Sequence, residues 1–119
     1  MTESDLPLTV TSRHDDPGPF VLQVNGELDH HTAPLLTRAV KDAPFDDRGV
    51  VIDLSGLTYC DSTGITVLVT AYHRSQAAGS PLSLAGANPD QMRVFRVVGL
   101  DQVFTFHTTV EEAAASLSR

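Results

Sequence analysis

Two hydrophobic rhythms alternate along this chain. Over residues 6–13, Leu8, Val10 and Ser12 oppose Thr9 and Thr11, a period of two that predicts a half-buried strand. Pro7 near its start suits a sheet edge. Residues 15–19, Asp-Asp-Pro-Gly-Pro, form a turn by composition. Phe20, Leu22 and Val24 then mark one face of a second strand over 20–25, which should pair with the first as an antiparallel hairpin. Residues 50–54, Val-Val-Ile-Asp-Leu, are a β-branched run typical of a buried strand. Shorter strands are predicted over 82–85 and 103–106, and residues 1–5 are polar and read as a frayed end.

Between the strands the period lengthens to that of a helix. Thr32 is a fitting N-cap, Pro34 is tolerated in the first turn, and Leu35, Leu36, Ala39 and Val40 form an apolar stripe that stops before Pro44. Ile65, Leu68, Val69 and Tyr72 define the buried face of a second helix, with Gly79 suited to its left-handed end. The opposite face carries Thr66, Val67, Thr70 and Arg74, and Val67 and Thr66 are expected to be exposed beside the helix start. Asn88-Pro89 opens a third helix with Met92, Phe95 and Val98 toward the core and Gly99-Leu100 at its end. Thr109 with Glu112 is a capping box before Val110, Ala113, Ala114 and Leu117. Residues 26–31 and 55–60 are predicted as loops. This order predicts an α/β domain: one mixed, mostly parallel sheet of about five strands with about four helices and an N-terminal antiparallel hairpin.

Composition narrows the function. A chain of 119 residues, 41% apolar and 19% charged, fits one globular domain. The net charge of −7 argues against a nucleic-acid face and against docking on anionic membranes, and would steer the chain toward a basic partner surface. No apolar run approaches the roughly 18 residues of a membrane span, and no charged-then-apolar leader opens the chain, so cytoplasmic residence is the expectation. Cys60 is the single cysteine, expected to act as a small buried hydrophobe rather than a redox sensor.

The chemistry concentrates where the central strand hands over to a helix, at Asp61-Ser62-Thr63-Gly64. The first N–H groups of a helix lack partners and carry partial positive charge. Asp61 or Ser62 would cap them, and the turn alone asks for nothing more. A phosphate on Ser62 would find the same donors and would add about −1.5 to −2 charge beside Asp61.

This turn, with Gly26-Glu27-Leu28-Asp29-His30-His31-Thr32-Ala33 some thirty residues upstream, resembles the STAS domain family and more closely its bacterial anti-sigma factor antagonists. The resemblance runs over residues 6–117. It implies that residues 1–119 are a single STAS domain. It also implies that Ser62 is the acceptor of a phosphoryl group from an anti-sigma factor serine kinase. Asp29, Asp61, Ser62, Thr63 and Gly64 would be the partner-binding residues. Unphosphorylated, the chain would bind that kinase and free a sigma factor. The kinase would supply ATP and magnesium, so the chain itself needs no cofactor, metal or catalytic residue, and a monomer or weak dimer suffices.

Other readings of the same residues carry less chemistry. Glu27 and Asp29 are a carboxylate pair with no nucleophile or metal-ligand set beside them. His30-His31 has no His or Cys at a zinc spacing, and His14, His73 and His107 are isolated. No Gly-rich phosphate loop is present. The alternative is a STAS scaffold subunit of a transporter or stress-signalling complex. Its helix start would touch a nucleotide phosphate only weakly, because no basic residue sits in that turn.

Overall fold

The alternation at the start of the chain becomes a hairpin. In a computed structural model that describes residues 7–14 and 16–117, β1 (Leu8–His14) runs antiparallel to β2 (Phe20–Leu28), from Leu8 opposite Gly26 to His14 opposite Phe20. Residues 1–6 and Asp15, expected above in the frayed end, the first strand and the turn, lie outside the described residues. The chain continues through α1 (Ala33–Asp42), β3 (Val50–Cys60), α2 (Ser62–Ala78), β4 (Leu82–Ala85), α3 (Pro89–Val97), a 3-10 turn at Leu100–Gln102, β5 (Thr105–His107) and α4 (Val110–Leu117). The five strands form one sheet in chain order, parallel except for the β1 edge.

The sheet is covered on both faces, which explains why Val50, Val51, Ile52 and Leu54 of β3 are all buried. Leu22, Val24, Ile52, Leu54 and Leu84 share a core with Leu36 and Val40 of α1, Leu68 and Ala71 of α2, and Phe95 of α3. The alternate residues Val21, Val51 and Ala85 pack under Ala113 of α4.

Several boundaries differ from the sequence expectation. Residues 55–60 are strand, not loop, because they pair with residues 25–28. That pairing is interrupted by irregularities between Gln23 and Asn25 and between Gly26 and Glu27, which disguise both strands' ends in the pattern. Gly26 permits it: its φ is +109°, and a Cβ there would lie 2.2 Å from the Pro7 carbonyl oxygen. The last strand begins at Thr105, not Val103, because residues 100–104 are drawn into a helical turn closed by Phe104 N–H on the Leu100 carbonyl. Leu35 is 52% exposed, one step off the buried row of Ala33, Leu36 and Val40. Val98 lies past the end of α3 and is exposed; buried Gln91 takes its place in the core beside Phe95. Val67, expected outside, is only 7% exposed, because α1 packs against that side of α2.

The end of α2 and the starts of α3 and α4 carry the expected residues, with one bond of the box expected at Thr109 and Glu112. Gly79 ends α2 in the left-handed conformation. Asn88 and Gln91 form a reciprocal capping box on α3. Thr109 Oγ1 accepts the Glu112 N–H at 3.1 Å.

Candidate functional site

Two neighbouring strands carry the two motifs to one end of the sheet. Leu28 pairs with Cys60 in parallel register, so Asp29 and Asp61 leave adjacent strands side by side. The Asp61 N–H donates to the Leu28 carbonyl at 3.1 Å and ties the two exits together. Loops beyond the carboxyl ends of parallel strands are where α/β proteins place their binding sites.

Asp61, not Ser62, is the N-cap of α2. Its backbone is extended, at φ −97° and ψ −172°, and its Oδ1 accepts from Thr63 N–H at 2.9 Å and Gly64 N–H at 3.1 Å. Ser62 is the first helical residue, and it is exposed. Its carbonyl accepts from the Thr66 hydroxyl at 3.0 Å, while its own hydroxyl takes no part in capping. Two of the donors expected to hold a phosphate on Ser62 are therefore already engaged by Asp61.

Thr63 is half-buried beside the exposed serine. Gly64, expected at the partner surface, is buried at the start of α2. A Cβ at Gly64 would stand 2.8 Å from Cys60 Sγ and from Leu28 Cγ, so the missing side chain lets α2 start directly over the strand ends. Cys60 is half-buried, and burial, with the Asp61 charge as the smaller cause, pushes its thiol pKa up to about 11. A thiol so raised is a poor nucleophile at neutral pH.

Asp29 folds the upstream loop. Its Oδ1 accepts from His31 N–H at 2.9 Å and Thr32 N–H at 3.1 Å, and its carbonyl accepts the Ala33 N–H. The Thr32 hydroxyl, buried behind it, donates to the Glu27 carbonyl at 2.8 Å and accepts the Asp29 N–H at 2.9 Å. The Thr32 N–H bond leads the causes that hold the Asp29 carboxyl below its usual range. Thr32 thus starts α1 by bracing this loop, not by a side-chain bond to the helix amides.

The His30 and His31 rings lie against each other at a tilt of 38°, with centroids 4.0 Å apart. Among the described residues no group of three His, Cys, Asp or Glu side chains is placed to hold a metal ion, and no helix is long and apolar enough to cross a membrane. Arg38 and Lys41 of α1, which belong to no motif in the sequence, border the same region across a groove from Thr63 and Thr66. Their spacing of three residues, in phase with Pro34 and Thr37, is the signal that would have found them.

A five-stranded mixed sheet with a capped serine turn at the strand exits is the architecture of a STAS domain, and the chain belongs to that family: the STAS domain model matches residues 10–113. Among curated proteins it is similar to an anti-sigma-B factor antagonist of Listeria monocytogenes, 35% identical over 67% of this chain and 71% of the relative. It is also similar to an anti-sigma F factor antagonist of Paenibacillus polymyxa, 26% identical over 84% of this chain and 87% of the relative. Among solved structures, an anti-sigma factor antagonist from Mycobacterium paratuberculosis superposes with a TM-score of 0.82 at 28% identity, covering 94% of this chain and 95% of that one.

Proposed function

We propose that this protein is an anti-sigma factor antagonist whose binding is switched off by phosphorylation of Ser62. The observation that carries the reading is an exposed hydroxyl at the first position of α2, beside the Asp61 carboxylate, on a site built from two motif loops. The named relatives support the same role. In the unmodified state the strand-end surface formed by Asp29, Asp61, Ser62 and Thr63 docks on an anti-sigma factor kinase and so frees a sigma factor. Gly64 contributes by letting the helix approach the strands. The protein works by binding, in the cytoplasm, as one STAS domain over residues 1–119.

The switching step needs no catalytic group from this chain. Ser62 Oγ attacks the γ-phosphorus of ATP on the kinase, the β–γ bridging P–O bond breaks, ADP leaves, and the hydroxyl proton passes to a base of the kinase. The product places about −1.5 to −2 charge next to Asp61 in a surface that the partner must desolvate. Like charge in a desolvated contact costs several kcal/mol, enough for a loss of affinity of about a hundredfold or more.

The test incubates the protein with purified anti-sigma factor kinases and Mg-ATP, maps the modified residue by mass spectrometry, and measures affinity by calorimetry. One phosphoryl group on Ser62 is expected. Ser62→Ala should bind and stay unmodified, and Ser62→Asp should bind about a hundredfold more weakly. Equal affinity of Ser62→Asp and the wild-type protein would overturn the switch.

A further inference from the structure

Beside the serine turn, α1 and α2 leave an open groove of about 640 Å³, floored by Ala33 and Val67. A second hollow of about 240 Å³ shares Thr37, Lys41, Val67 and Thr70 with it and carries it on to Arg74. From Thr63 to Arg74 is eleven residues of helix, roughly 16 Å, the length of about three helical turns.

The charge in this groove runs against that of the molecule. The chain carries eight Lys and Arg and a net charge of −7, yet Arg38, Lys41 and Arg74 all line the groove, with Asp42 the acidic residue among its walls. Arg74 is held in place, donating to the Lys41 carbonyl at 3.1 Å with its guanidinium over the Phe45 ring. Arg38 and Lys41 are exposed, and the ion pairs formed among the described residues involve neither of them. An apolar floor of helical length with unpaired cations on one wall complements an amphipathic helix bearing carboxylates.

We propose that the α1–α2 groove receives an acidic amphipathic helix of the anti-sigma factor, about three turns long, laid from Thr63 toward Arg74. This rests on the function proposed above and names the second half of its docking surface. The two halves have different duties. The groove engages the partner continuously along its length, and the adjoining Ser62 decides whether the partner seats.

The experiment measures affinity of the anti-sigma factor that binds the unmodified chain, at low and at moderate salt. The variants are Arg38→Glu with Lys41→Glu, the single Arg96→Glu as a charge reversal on exposed α3 to compare per residue, and Ser62→Asp. The double variant should lose about a hundredfold in affinity, more at low salt, while Arg96→Glu stays within about threefold. Circular dichroism and thermal melts of each variant show whether it remains folded. A photo-crosslinker on Thr70→Cys should capture an Asp- and Glu-rich helix of the partner. If the double variant is folded and binds like wild type while Ser62→Asp is weakened, the groove proposal falls and the switch stands. If only the double variant is weakened, the groove stands and the switch falls. If Arg96→Glu weakens binding as much as the double variant, or if Thr70→Cys crosslinks to a second copy of this chain, the groove is not the partner's seat.

Discussion

Asp61 and Ser62 divide work that either residue type can do alone. Because the aspartate caps the helix, the serine hydroxyl stays out of the cap, and replacing the two should have different effects. Asp61→Ala should cost about 1 kcal/mol of stability in urea unfolding, the usual loss of a cap. Ser62→Ala should leave stability within about 0.5 kcal/mol, as for an exposed side chain with no structural partner. Gly64→Ala drives a methyl into Leu28 and Cys60, and overpacking of this kind costs about 1–3 kcal/mol. Cys60, with its pKa near 11, is expected to react slowly with a thiol-specific disulfide reagent at pH 8, where about one part in a thousand is thiolate. The rate should climb tenfold per pH unit until it levels near pH 11; a plateau by pH 9 would contradict the burial described here.

Helix starts were legible in the sequence because capping is local. Asn88-Pro89 and Thr109 with Glu112 announce α3 and α4 through residues that bond within one turn. Even so, adjacent Asp61 and Ser62 both suit a cap, and only the extended backbone of Asp61 decides between them. Strand ends were not legible. The pairing of residues 25–28 with 56–60 depends on irregularities whose sense comes from the partner strand. Val67 was misplaced for a similar reason: the period of α2 shows its stripe but not that α1 covers a second side. Gln91 illustrates a long-range role invisible to the capping pattern. Besides capping α3, its amide donates to the Leu57 carbonyl on β3 at 2.6 Å. Gln91→Ala should therefore cost about 1–3 kcal/mol in urea unfolding, since it leaves a buried carbonyl without its donor; Arg93→Ala, on the exposed side of the same helix, should cost much less.

Over the whole molecule, acidity and packing set the operating range. Asp29 and Asp46 both have carboxyl pKa values below the usual 3.8, the first mainly from the Thr32 amide and the second mainly from the Arg48 side chain. A carboxyl whose pKa is lower folded than unfolded stabilises the fold above its unfolded value and loses that contribution as pH falls through its folded value. Thermal stability should thus be flat with respect to these two groups above about pH 5 and decline below about pH 4, with Asp29→Asn and Asp46→Asn each making the decline shallower. The family assignment was open to the sequence because two short motifs sit on strands that the sheet makes neighbours. The basic groove was not, because its cations come from two helices whose packing no single stretch reveals.

One further effect follows from the Asp61 carboxylate occupying the Thr63 and Gly64 amides. A phosphoryl group esterified to Ser62 would receive no neutralisation from those donors, so its oxygens would remain free toward water. The mark that refuses one visitor would then stand open to another: an enzyme arriving with metal ions or arginines would not have to pry the ester from its own host. Such a signal, once written, would be as easy to erase.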